Sequence, residues 1–148
     1  MKRFISDADA MERLGADIAR AWRDGGILYL RGELGAGKTT LARGVIRAFG
    51  ITEPIKSPTY TLIESYTALG VLSGKSLPPL RIYHIDLYRL QDPEELEYIG
   101  IRDYFDEKAL FLIEWPERGN GGIPTADLAI SITVLAAGRL VTLDNSAF

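Results

Sequence analysis

The sequence predicts an α/β fold: a three-layer sandwich with a mixed, mostly parallel central sheet and a C-terminal β-hairpin, one domain over residues 1–148. Three observations carry this. ILYL at 27–30 and ALFLI at 109–113 are apolar runs of strand length ended by polar or turn residues, the pattern of strands buried on both faces. Helical periods stand on both sides of the first run. The C-terminal stretch holds two further apolar strands around a short turn.

Taken in order, Ser6 followed by Asp9 reads as a helix start, with Met11, Leu14, Ile18 and Trp22 at helical spacing up to the stop at Asp24-Gly25-Gly26. Ile27 to Leu30 is the first strand. Thr40, Leu41, Val45, Ile46 and Phe49 then give a second helix, closed by Gly50 in the C-terminal capping position. YTLIESY at 60–66 and RIYHI at 81–85 are rich in β formers and read as two strands, with the antiparallel arrangement open to them. TALGVLSGKSLPPL, between them, reads as a long connection. Asp92-Pro93-Glu94-Glu95 combines a capping acid, a proline at the first helical position and first-turn acids. Leu96, Ile99 and Ile101 follow, and Gly100 divides them into two short helices. After ALFLI comes the hairpin, Leu128 to Leu135 and Leu140 to Leu143, turned by Ala136-Ala137-Gly138.

The joint between the first strand and the second helix carries the chemistry. Gly32, Gly37, Lys38 and Thr39 fit G-x-x-x-x-G-K-[ST], the phosphate-binding loop, a pattern this composition would produce by chance on the order of 0.005 times. Glycines let successive N–H groups turn onto phosphate oxygens, and the helix adds the positive end of its dipole. Lys38 would reach the β and γ phosphates of a nucleotide and Thr39 would place its hydroxyl on Mg²⁺. The fold class is therefore that of P-loop NTPases.

Composition narrows the rest. Net charge is −3, which argues against broad non-specific binding to nucleic acid. Cysteine is absent, which removes disulfides, thiol nucleophiles and thiolate metal sites and fits a reducing cytoplasm. Asp7 and Asp9 interrupt any apolar N-terminal stretch, so no secretory signal is expected, and no run approaches the ~18 apolar residues of a membrane helix. A cytoplasmic protein without membrane attachment is the expectation.

A nucleotide loop needs a metal-holding acid at the end of a neighbouring strand. Two have that form: Asp86 ends RIYHID and Glu114 ends ALFLIE, each carried by its strand toward the edge where the loop sits. In KSPTYTL, Thr59 follows Pro58 in a turn where a hydroxyl can sense a γ phosphate, as switch segments do. His84 reads as an ordinary strand residue.

GELGAGKTT, SPTYTL, HIDLYRL, DPEELEYIGIRDYF and IEWPERG, in this order and spacing, resemble the TsaE (YjeE) family, the small bacterial ATPases of tRNA threonylcarbamoyladenosine biosynthesis. The resemblance covers nearly the whole chain. It implies that Glu33, Leu34, Gly35, Ala36, Gly37, Lys38, Thr39 and Thr40 wrap the phosphates, with Thr39 and Glu114 on Mg²⁺. It gives Asp86 a place near the γ phosphate and the attacking water, and makes Thr59 the switch threonine. Trp115 matches the tryptophan beside the metal acid and Arg139 a basic residue near the nucleotide. The implied cofactors are ATP, ADP and Mg²⁺. The implied partner is a TsaB–TsaD-like heterodimer, which carries out threonylcarbamoyl transfer to the adenosine beside the anticodon, so that tRNA is met through the complex. The stretch Leu69 to Leu80 is longer than the family pattern calls for.

Two other readings share the loop. A small-molecule kinase would add an arginine-rich lid, and none stands out. A non-catalytic module whose surface is ordered by ATP would need the loop but not the acids. A GTPase is disfavoured because Asn-Lys-x-Asp is absent, the asparagines being Asn120 and Asn145.

Overall fold

The computed structural model describes residues 1–58, 62–69, 71–72, 75–76, 78–119 and 121–145. Along the chain run β1 (Lys2–Ile5), α1 (Ala8–Ala21), β2 (Gly26–Arg31), α2 (Lys38–Ala48), β3 (Ile63–Ala68), β4 (Val71–Leu72), β5 (Lys75–Ser76) and β6 (Leu80–Asp86). Then come α3 (Glu95–Tyr98), α4 (Ile101–Phe105), β7 (Ala109–Glu114), a 3₁₀ turn (Pro116–Gly119), β8 (Leu128–Leu135) and β9 (Gly138–Asp144). Seven strands form one sheet in the order β1-β9-β8-β2-β7-β6-β3, and β4 and β5 pair separately. β8, β2, β7 and β6 are parallel. Antiparallel ladders join β1 to β9, β9 to β8 and β3 to β6, so only β9 and β3 oppose the other strands. The sheet is mixed and mostly parallel, as the sequence pattern predicts.

Parallel strands need cover on both faces, and the alternation of each strand supplies it. Leu28, Leu30, Ile82, Leu110, Leu112 and Ile130 pack in one core with the apolar sides of α1 and α2. Tyr83, Ile85, Phe111 and Ile113 pack in the other with Leu96 of α3 and Ile101 of α4. Aromatic rings thicken this second core, with Phe111 stacked on Tyr83 at 5.3 Å between centroids and Phe105 at 4.7 Å.

α1 and α2 cross with almost no space between their backbones. A Cβ on Gly15 would lie 2.6 Å from the Leu41 carbonyl oxygen, and one on Gly44 would lie 2.4 Å from that of Glu12. Both glycines are buried or nearly so at this contact, and no other residue fits.

Several boundaries differ from the sequence reading. α1 is capped by Asp7, whose Oδ1 accepts from the Ala10 N–H at 2.8 Å, one residue beyond the predicted Ser6. β1 was not anticipated; it adds to β9 in the register Lys2↔Thr142 to Ile5↔Arg139, with Ile5 alone buried. β3 runs on to Ala68, and the expected long connection contains the β4–β5 ladder. Asp92 does cap, accepting from the Glu94 N–H at 3.0 Å, but regular helix begins only at Glu95. Gly100, at φ 69°, separates α3 from α4 as expected. Among the described residues no helix is long and apolar enough to cross a membrane.

Candidate active site

The loop of residues 32–37 joins the C-terminal end of β2 to the N-terminus of α2. Gly37 begins the helix at φ 114°, a conformation that strains any residue with a Cβ, and among the described residues no side chain caps the helix. The first N–H groups of an α-helix have no partner within it, so this end presents donors together with the positive end of the dipole. Arg139, on β9, secures the loop from the hairpin side: its Nε donates to the Ala36 carbonyl at 3.0 Å and Nη2 to that of Gly35 at 3.3 Å.

Lys38 is only 5% exposed. Its ammonium donates to the carbonyls of Gly32 (2.5 Å) and Glu33 (2.9 Å) and stands 4.5 Å from the centre of the Trp115 ring. Burial lowers its pKa, against the charges of Glu114, Asp86, Glu117 and Glu33, which raise it.

β6 and β7 bring the two acids together. Asp86 and Glu114 are register partners at the C-terminal ends of adjacent parallel strands, and Leu30 of β2 is the next neighbour. Glu114, 3% exposed, accepts from the Thr39 hydroxyl at 3.2 Å (Oε2) and 3.3 Å (Oε1). Asp86, 6% exposed, accepts from the Tyr88 N–H at 3.0 Å. Burial raises the pKa of Asp86; the Tyr88 N–H opposes this and the Glu114 charge adds to it.

The segment expected to act as a switch is tied to the same acid. The Asp86 N–H donates to the Leu62 carbonyl and the Leu62 N–H to that of Pro58, both at 2.9 Å. Thr59 itself lies outside the described residues. Leu62, at φ 67°, and Trp115, at φ 58°, are the described non-glycine residues in the left-handed region, and both flank the acids. Strain of this kind collects at functional sites. Trp115 turns the chain just after Glu114 and packs on Tyr88 with 5.0 Å between centroids.

The sequence pattern alone makes His84 an ordinary strand residue, yet the structure sets it against Glu114. It is 0% exposed, and its Nε2 is 2.5 Å from Glu114 Oε2. Period-2 alternation in RIYHID places His84 on the same face as Asp86, which is the signal that could have found it.

Two hollows share the loop as a wall. One, of about 330 Å³, is lined by Leu34, Gly35, Lys38, Thr39, Asp86, Glu114 and Trp115 among others. The other, of about 250 Å³, lies toward the hairpin and is lined by Ile5, Asp7, Met11, Thr40 and Arg139 together with Gly35 to Gly37. In the first, a hydroxyl and two carboxylates converge, an all-oxygen donor set suited to a hard divalent cation. The Thr39 hydroxyl lies within hydrogen-bond reach of both Glu114 oxygens, so the two side chains stand together at the wall of this hollow.

A family model described as threonylcarbamoyl adenosine biosynthesis protein TsaE matches residues 5–140. The tRNA threonylcarbamoyladenosine biosynthesis protein TsaE of Haemophilus influenzae is 43% identical over 97% of this chain and 88% of its own length. The protein of the same name in Treponema pallidum is 36% identical over 94% of this chain and 96% of its own length. Among solved structures, the crystal structure of Bacillus subtilis YdiB superposes with a TM-score of 0.74 at 27% identity, over 97% of this chain and 83% of that one.

Proposed function

Because this chain belongs to the TsaE family of threonylcarbamoyl adenosine biosynthesis proteins, we propose that it is a P-loop ATPase serving that tRNA modification. The observation that supports this best is the meeting of Lys38, Thr39, Asp86 and Glu114 in one hollow, at a helix terminus that no side chain caps. In this reading the N–H groups of residues 33–40 and the Lys38 ammonium bind the phosphates of ATP. Thr39 and Glu114 hold Mg²⁺, which when bound neutralises charge on the phosphate oxygens. Asp86 orients the attacking water, and Thr59 reads the γ phosphate. The base and ribose occupy the hairpin-side hollow beside Arg139. ADP is the product. The chain acts in the cytoplasm with a TsaB–TsaD-like heterodimer, which performs the transfer, and it meets tRNA through that complex.

The test uses Lys38→Ala and Glu114→Ala, with nucleotide affinity measured by calorimetry and turnover by phosphate release. Lys38→Ala removes a charge-assisted contact and is expected to weaken ATP binding by on the order of 2 kcal/mol, about 30-fold. Glu114→Ala is expected to keep ATP binding in EDTA, to lose the gain in affinity that Mg²⁺ brings, and to lose turnover. Unchanged hydrolysis in Lys38→Ala overturns the loop assignment. Full support of tRNA modification by Glu114→Ala marks a nucleotide-gated binding module instead.

A further inference from the structure

We propose that His84 is a positioning residue that sets the Glu114 carboxylate for a divalent cation, by donating from Nε2 to Oε2. The inference rests on the reading of Thr39 and Glu114 as the metal-holding pair. A carboxylate oxygen only accepts, so the nitrogen 2.5 Å from it carries the proton. Thr39 approaches the same carboxylate from α2 and His84 from β6, and between them they fix a side chain that would otherwise turn about three bonds. Ordering of this kind, from a group behind the ligand, tunes metal affinity without touching the metal.

The other nitrogen argues against packing as the sole reason for the ring. Nδ1 is buried and has no hydrogen-bond partner among the described residues. A histidine that serves the fold would use both nitrogens, because an unpaired buried polar atom costs stability. An apolar side chain would fill this place, beside Ile82 and Leu112, at lower cost. What it could not do is donate to Glu114.

The variants are His84→Leu, which removes the donor and the orphaned nitrogen together, and His84→Gln, which returns a donor at similar reach. The readouts are the melting temperature, affinity for ATP in EDTA, the gain in affinity on adding Mg²⁺, and turnover. His84→Leu is expected to bind ATP equally in EDTA and to melt within a few degrees of the parent, because the loss of a donor to the buried Glu114 carboxylate opposes the removal of the orphaned nitrogen. It is expected to lose about 10-fold of the Mg²⁺-dependent gain and about 10-fold in kcat. His84→Gln is expected to recover most of both. In the free protein, nitrogen-15 spectra are expected to show the proton on Nε2, with that preference weakened in Glu114→Ala. A His84→Leu variant with an unchanged Mg²⁺ gain overturns the proposal, as does one that loses melting temperature and EDTA affinity together, or a glutamine variant no better than leucine. If the parent itself gains no affinity from Mg²⁺, the metal reading of Thr39 and Glu114 fails and the role of His84 with it. If the parent gains and His84→Leu gains equally, only the role of His84 fails.

Discussion

Asp86 holds a charge where the fold penalises it. In an unfolded chain its carboxyl titrates near 3.8, and in the folded protein burial raises that value. The contribution of Asp86 to stability is therefore full below pH 3.8 and is lost as pH rises through the raised folded value. Asp86→Asn keeps the shape without the charge. It is expected to raise the melting temperature at pH 7–8, with the advantage fading toward pH 3.5, while phosphate release is lost; melts across that range check it, and a lower melting temperature at neutral pH would contradict it. The exchange of stability for function is the usual cost of a charged site. At this scale the loop motif was legible, because Gly32, Gly37, Lys38 and Thr39 lie within eight residues of one another in the chain. His84 was not legible. Its partner is 30 residues away on the neighbouring strand, and only the register His84↔Leu112 and Asp86↔Glu114 brings the two together.

The helix crossing decides how firmly the loop is held. Ala has a higher helix propensity than Gly by about 1 kcal/mol, so Gly44→Ala should stabilise an isolated α2. In the folded protein its methyl would stand 2.4 Å from the Glu12 carbonyl oxygen, and backbone cannot yield as a side chain tip can. The clash is expected to win, with a net loss of about 1–3 kcal/mol and a fall in melting temperature of roughly 5 °C for a chain of this size. ATP affinity is expected to fall as well, because α2 carries Lys38 and Thr39 at its first turn; a rise in melting temperature would sink this account. Elements specified by local pattern were legible: β2 by its apolar run, α2 by its period and Gly50, β7 by ALFLI. β1 was not, because four residues with one buried side chain carry no periodicity. It exists by pairing with β9, more than 130 residues away in the chain, and the two-residue strands β4 and β5 are below the length at which pattern can speak.

Across the whole molecule, adjacency of β2, β7 and β6 brings the loop, Glu114 and Asp86 to one edge of the sheet. The order of strands could not be read from the chain, since apolar runs declare burial and not neighbours. The arginines near that edge are engaged within the chain. Arg139 is bound to loop carbonyls, Arg118 lies 5.0 Å over the Tyr88 ring and 5.7 Å over Trp115, and Arg89 has partners of its own. An arginine supplied in trans is worth roughly 10³–10⁵ in the rate of phosphoryl transfer. The lone chain is accordingly expected to hydrolyse ATP slowly and a TsaB–TsaD-like complex to raise the rate at least ~10-fold, measured as phosphate release with and without the complex. Equal rates in the two would count against it.

The two tryptophans of the chain stand at opposite ends of the parallel strands. Trp22 packs on Gly26 where β2 begins, and Trp115 follows the last residue of β7 with the Lys38 ammonium 4.5 Å from its ring. If Lys38 turns from the loop carbonyls to a phosphate when nucleotide binds, as the proposed function requires, the emission of Trp115 is expected to change and that of Trp22 to stay constant. On that reading the protein would contain its own fluorescent gauge of nucleotide loading, with an internal reference at the far end and no attached dye.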